Sequence, residues 1–328
     1  MWISCCSASP RVRHVSPLPQ MPNSTAMLGF LLMRFADAWE LRVLHAVSFS
    51  LLYLVTITGN VLIVAATTLD RGLHTPMYFF LRNLSVLDAC FVSVTVPKSF
   101  MNSLLNSSAI SVVGCAAQVF LVVLFVYLEL LFLTFMAHDR YVAICQPLHY
   151  TVIMSPRVCV QATLAALLSG LIYAGVHTGS TFRLSFCRSR VVRQFFCDIP
   201  SLLRLSCADT FSNEVVILVC GLVFGGSCFS FIIRSYVHIL FMVFRLPKGA
   251  DRSKAFSTCV PHILVVTIFL TSSFYVYLRP AAISAALQDV VLSVFYTIIP
   301  PLFNPIIYSL RNKQIKGAIK KITKARFV

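Results

Sequence analysis

Charge is what this chain has least of. Eleven acidic and 27 basic residues make up 12% of 328 positions, against 58% hydrophobic residues. So little polar surface cannot coat a water-soluble globule of this length, and a mean hydropathy of +0.84 points the same way. Other absences narrow the field. No two of the 12 cysteines form a C-x-x-C pair, which argues against a zinc staple. No H-E-x-x-H set and no nucleophile with a matching base signals an enzyme. Residues 1–20 lack the unbroken apolar stretch of ~7–15 residues that a secretory signal requires, so the first hydrophobic segment must direct insertion itself.

What is present is a series of long apolar runs. A hydrocarbon core about 30 Å thick takes roughly 20 apolar residues per helix. Seven runs qualify: Val43–Thr68, Met77–Met101, Cys115–Ala137, Val158–Phe182, Val215–Ile233, Ala255–Leu278 and Val290–Leu310. They are apolar all round and longer than the ~10–14 residues of a buried soluble helix. The expected fold is an all-α membrane protein, a seven-transmembrane helix bundle. Residues 1–42 precede it, 43–310 form it, and 311–328 are a basic tail. In that tail Ile315, Ile319 and Ile322 share a helical face among lysines, the pattern of a short amphipathic helix on membrane lipid.

Lys and Arg give the direction. The tail carries Arg311, Lys313, Lys316, Lys320, Lys321, Lys324 and Arg326 without an acid. The loop after the fifth run carries Arg234, Arg245, Lys248, Arg252 and Lys254. Both belong on the cytoplasmic side, which puts the N-terminus outside, although the loop after the fourth run has five arginines of its own. The net charge of +16 is split between the two faces, so it does not indicate nucleic acid. Asn23-Ser24-Thr25, just after Met21, is a glycosylation sequon suited to an outer N-terminus, with residues 1–20 an optional extension. Cys115, Cys187, Cys197 and Cys207 fall on the oxidising side, and four cysteines permit three pairings.

An ionisable group inside a span costs about 2.5–3.5 kcal/mol and calls for a function. Asp88 and Glu129 are such groups, with Asn60 a hydrogen-bonding companion. Two neighbouring carboxylates cannot comfortably ionise together, so they share a proton or bind a cation. At the inner end of the third run, Asp139-Arg140-Tyr141 sets an acid beside a fixed cation. In the seventh, Asn304-Pro305-Ile306-Ile307-Tyr308 places a helix-kinking proline beside two polar groups.

Several motifs occur in order: Gly59-Asn60, Leu73-His74-Thr75-Pro76-Met77-Tyr78, Leu84-Ser85-Val86-Leu87-Asp88, Met136 to Cys145, Ser235-Tyr236, Lys254-Ala255-Phe256-Ser257-Thr258-Cys259, and Asn304 to Asn312. Together they resemble the olfactory receptors of the rhodopsin-like G-protein-coupled class, over about residues 23–311. That resemblance implies a plasma-membrane receptor that binds a small, mostly apolar volatile odorant. It also implies activation of a heterotrimeric G protein of the type that raises cAMP. It pairs Cys115 with Cys197 and Cys187 with Cys207, and assigns Asp88 and Glu129 to a sodium or proton site. Arg140 becomes the switch, with Tyr236 and Tyr308 lining the inner face once it opens. The chain departs from the family pattern at His138, Pro261, Leu270-Thr271 and Gln194. The last replaces a common His, and no metal cofactor is expected.

The third run presents Val122, Val123, Val126 and Tyr127 on one broad face, the wall of an outer pocket. By analogy Ile199, Cys220, Phe224, Ser273, Phe274, Tyr277, Val294 and Thr297 complete it. Val122 stands where the similar amine receptors carry an acid, so a cationic amine would find no counter-charge. The competing reading is a proton- or ion-coupled transporter using Asp88 and Glu129, but the internal repeats and paired broken helices of such folds are missing.

Overall fold

A computed structural model describes residues 29–33, 38–105, 108–187, 189–245, 250–277 and 286–325; within its last helices, the side chains of 250–251, 253–258, 272–277, 286–293, 310–311, 313 and 324–325 fall outside the description. The seven apolar runs form seven helices: α1 (Trp39–Leu69), α2 (Pro76–Leu105), α3 (Val112–Cys145), α4 (Pro156–Phe182), α5 (Phe211–Arg245), α6 (Ala250–Tyr277) and α7 (Ala286–Arg311). Among the described residues α1 to α5 are long and apolar enough to cross a membrane, and α6 and α7 carry shorter apolar stretches, Cys259–Thr271 and Val294–Ser309. Most helices overrun their apolar runs. α3 starts three residues before Cys115 and continues eight beyond Ala137, because hydrocarbon fixes the apolar length and not where backbone hydrogen bonding must stop.

α3 is the central strut. It packs against α2, α4, α5 and α6, while α1 lies along α2 and α7 and so closes the bundle. Two glycines let helices approach closely. A Cβ on Gly59 would stand 2.9 Å from Cγ of Pro305, and one on Gly170 would stand 3.0 Å from Leu124 and 3.1 Å from Tyr127. Pro305 has no N–H to give the carbonyl of Pro301. Asn60 supplies the donor, at 3.0 Å from that oxygen, so α1 repairs the defect that proline makes in α7.

The basic tail folds as expected, into α8 (Lys313–Ala325). Asn312 caps it by accepting from the N–H groups of Gln314 and Ile315, and Ile315 and Ala318 are buried against the bundle. Tyr78 pins it to α2: its hydroxyl donates to Gln314 (2.6 Å) and accepts from Asn312 (2.8 Å). At the turn between α1 and α2, Asp70 is held below the usual carboxylate range by the Gly72 N–H and by Lys321 of α8.

The end of the bundle that carries Cys115 and Cys197 holds an element that the amino-acid pattern does not show. Three short strands, β1 (Phe30–Leu32), β2 (Ala109–Ile110) and β3 (Val191–Val192), form a sheet in the order β2-β1-β3. β1, from the segment before α1, is the middle strand, antiparallel to β2 and parallel to β3. Phe30 and Leu32 are buried with Cys115, Val119, Cys197 and Leu202.

Because the Pro305 ring cannot swing aside, Gly59→Ala should wedge α1 from α7. We expect a loss of roughly 1–3 kcal/mol, read as a lower Tm of the solubilised receptor. An unchanged Tm would show that this approach is not tight.

Candidate functional site

The long loop between α4 and α5 lies over the bundle as a lid. Cys115 and Cys197 are disulfide-bonded with Cα atoms 5.5 Å apart, and Cys187 and Cys207 with Cα atoms 5.7 Å apart, so the pairing implied by resemblance is the one the fold adopts. Just before Cys197 the lid drives two aromatic rings downward. Phe195 and Phe196 are 1% and 0% exposed. Phe195 packs edge-on to Phe49 of α1 at 5.6 Å, and Phe196 packs edge-on to Tyr296 of α7 at 5.8 Å. Just after it, Asp198 is buried with its Oδ1 unpartnered.

Beneath the lid, Val122, Val126 and Val294 gather with Phe195 and Phe196 in one apolar cluster. Val123 and Ile199 meet in the cluster around the lid disulfide. Tyr127 stacks on Phe224 of α5 at 4.1 Å and leans on Tyr173 of α4 at 4.9 Å. Thr297 is fully buried and Cys220 half-buried. The side chains of Ser273, Phe274 and Tyr277, and all of Asn23, lie outside the described residues.

Deeper, the polar centre assembles from four helices. Asn304 of α7 donates to Asp88 of α2 at 2.8 Å, and Glu129 of α3 draws on the same amide. Asp88, Glu129 and Asn60 are 1%, 4% and 0% exposed. Oδ1 of Asp88, Oε1 of Glu129 and Oδ1 of Asn60 have no hydrogen-bond partner. Asp88 and Glu129, which meet at the Asn304 amide, are two buried acceptors of the kind that a shared proton or a hard monovalent cation would use.

At the end of the bundle opposite the lid, both oxygens of Asp139 are occupied. Oδ2 of Asp139 accepts from Nη2 (2.6 Å) and Nε (3.0 Å) of Arg140. Its Oδ1 accepts from the hydroxyl of Tyr150, at 2.7 Å, in the turn that follows α3. Asp139 is 0% exposed, and burial, then the Asp139 charge, push the Tyr150 hydroxyl above the ordinary phenol range, which keeps it a donor. Tyr236 of α5 hydrogen-bonds His262 of α6, and Tyr308 of α7 is buried with its hydroxyl unpartnered. Tyr141 lies between His138 and His238, with ring centroids at 6.3 and 5.8 Å.

A buried lid, a polar centre and an ion pair at the far end thus lie in three layers along the bundle. The family model for olfactory receptors matches residues 49–326. The chain belongs to the olfactory receptor family. Human olfactory receptor 14C36 is 70% identical over 307 residues, covering 94% of this chain and 98% of that one. Human olfactory receptor 14I1 is 50% identical, covering 92% of this chain and 97% of that one. Among solved structures, squid rhodopsin superposes with a TM-score of 0.67 over 89% of this chain at 18% identity, a likeness of fold. The receptor is thus a multi-pass membrane protein of the G-protein-coupled kind and not an enzyme.

Sequence reasoning missed four parts of the receptor's site. β1 is too short to show a period. Phe195 and Phe196 read as loop. Tyr150 lies eleven residues past the Asp139 that it serves. Gln118 is a single amide in an apolar run: its Oε1 accepts from the Cys197 N–H and its Nε2 donates to the Val94 carbonyl, both at 2.8 Å. A lone polar side chain inside a span was the available signal.

Asp198 makes the lid sensitive to pH. Burial pushes its carboxyl up to about 6, with Ser201 and Arg204 only partly offsetting it. In an opened lid the group returns to its ordinary value, so between the two values the closed form holds a proton that the open form lacks. Closure is therefore favoured at low pH and weakens as pH rises toward 6, by on the order of 3 kcal/mol at the limit. Amide exchange across residues 194–203, corrected for intrinsic rates, should be slower at pH 5 than at pH 7.5, and Asp198→Asn should flatten the difference. Equal protection at both values in the wild type would contradict this.

Proposed function

We propose that this protein is a plasma-membrane odorant receptor with its N-terminus outside. It binds a small, mostly apolar volatile molecule under the lid and activates a heterotrimeric G protein of the cAMP-raising type. The observation that carries the reading is the Asp139 latch: both carboxylate oxygens are occupied, by Arg140 and by Tyr150, so the group that must be freed to meet a G protein is held beneath the bundle.

The ligand chemistry follows from the wall. Val122, Val123, Val126 and Val294 offer dispersion and no charge, while Tyr127 and Thr297 offer hydroxyls to orient one polar group. Binding that moves α3 or α6 reaches the latch through the Asn304 centre, where Asn60, Asp88 and Glu129 hold a sodium ion or a proton in the resting state. Release of Arg140 then exposes the inner face lined by Tyr236 and Tyr308, with Pro305 as the hinge.

The test is a cAMP assay in cells, with a panel of volatile compounds applied to the wild type and to Arg140→Ala at matched surface expression. The wild type should respond to at least one compound, and the variant should lose more than nine-tenths of that response. Equal signalling by the variant would remove Arg140 from the switch.

A further inference from the structure

The lid is tied covalently to α3 through Cys197, and that residue is held at two points. Its Sγ is bonded to Cys115. Its backbone N–H is bonded to Oε1 of Gln118 at 2.8 Å. Cys115 and Gln118 are three apart on α3, so both attachments rise from one face of the same helix.

A disulfide by itself leaves rotation about its single bonds. A second attachment on the backbone removes that freedom and fixes the direction in which the chain leaves Cys197. On one side of it lie Phe195 and Phe196, which fill the top of the bundle, and on the other Asp198 and Ile199. The far end of the same amide donates to the Val94 carbonyl at 2.8 Å, so the lid angle is set relative to α2 as well as α3.

The site demands one acceptor and one donor at a fixed separation. Cys197 is 0% exposed and Gln118 6% exposed, and the bond between them is buried, so water is not placed to take over the bond that holds the lid. Neither the inner latch nor the Asn304 centre uses Gln118, and it is the only amide side chain in α3.

We propose that Gln118 is the positioning residue of the lid: it aims Cys197 and its neighbours over the pocket and so sets odorant potency without touching the odorant. The effect on potency rests on the binding site proposed above; the hydrogen bond to the lid does not. Gln118→Met keeps the volume and loses both bonds. Gln118→Glu, kept neutral by its buried site, keeps an acceptor for Cys197 and a hydroxyl donor for Val94.

Amide exchange on the full-length receptor in lipid nanodiscs, without odorant, reads the first link. Exchange of the peptide containing Cys197 should rise roughly tenfold in Gln118→Met and stay near wild type in Gln118→Glu. Concentration–response curves for the most active compound of the volatile panel read the second. Gln118→Met should shift the half-maximal concentration upward by roughly tenfold with the maximum retained, and Gln118→Glu should restore it.

Unchanged exchange in Gln118→Met would overturn the proposal. Raised exchange with unchanged potency would also overturn it, while leaving the pocket in place. Should Gln118→Met fail to reach the surface, Gln118→Asn, one methylene too short to make both bonds, takes its place: the same rise in exchange and loss of potency support the proposal, and the absence of either overturns it. A wild type silent to every compound would count against the proposed function, and the exchange measurement would still decide whether Gln118 holds the lid.

Discussion

In hydrocarbon a polar side chain finds partners only within the protein, and Asn304 stands at the centre of that constraint. Its amide serves Asp88 and Glu129, joining α7 to α2 and α3. One turn away, Asn60 of α1 supplies the hydrogen bond that Pro305 withholds from Pro301. Remove this cluster and the buried middle of α1, α2, α3 and α7 loses the polar ties between those helices that it supplies. With it, those helices have one register, and the lid above and the latch below are built on that register.

The two ends of the molecule are held by different means. At the lid end, covalent and sheet contacts dominate: two disulfides and the three-stranded sheet hold the lid, and the pair Phe195 and Phe196 reaches down from it to α1 and α7. At the opposite end, the contacts around Asp139 are a few hydrogen bonds and one ion pair. Such contacts break and reform without unfolding anything, as a switch requires. Between them lie Tyr127, Phe224 and Tyr173, a stack joining α3, α5 and α4, so a molecule pressing on Tyr127 presses on three helices at once.

The helices were legible because hydrocarbon imposes a length that composition records directly. The tail helix was legible because Ile315, Ile319 and Ile322 recur at helical spacing. Asp88 and Glu129 stood out because charge in a span is costly, and Arg140 because a fixed cation sits beside an acid at the end of the third run, within a motif of the resembled family. The disulfide pairing needed the family resemblance, since four outer cysteines leave it open. The outer sheet was not legible: β1 has three residues and β2 and β3 two each, and pairing between segments so distant in sequence leaves no local mark. Gln118 and Tyr150 were missed for a related reason. Each owes its role to one partner brought close only by the fold, Cys197 in one case and Asp139 in the other.

The central claim is that the receptor rests with Asp139 saturated by Arg140 and Tyr150, and that freeing this latch is what activates it. Basal nucleotide exchange on a heterotrimeric G protein, without odorant, tests it most directly in Tyr150→Phe, which removes one bond to Asp139 and leaves the ring. The account predicts a basal rate several-fold above wild type, abolished when Arg140→Ala is added. A basal rate equal to wild type, at equal receptor density, would contradict it.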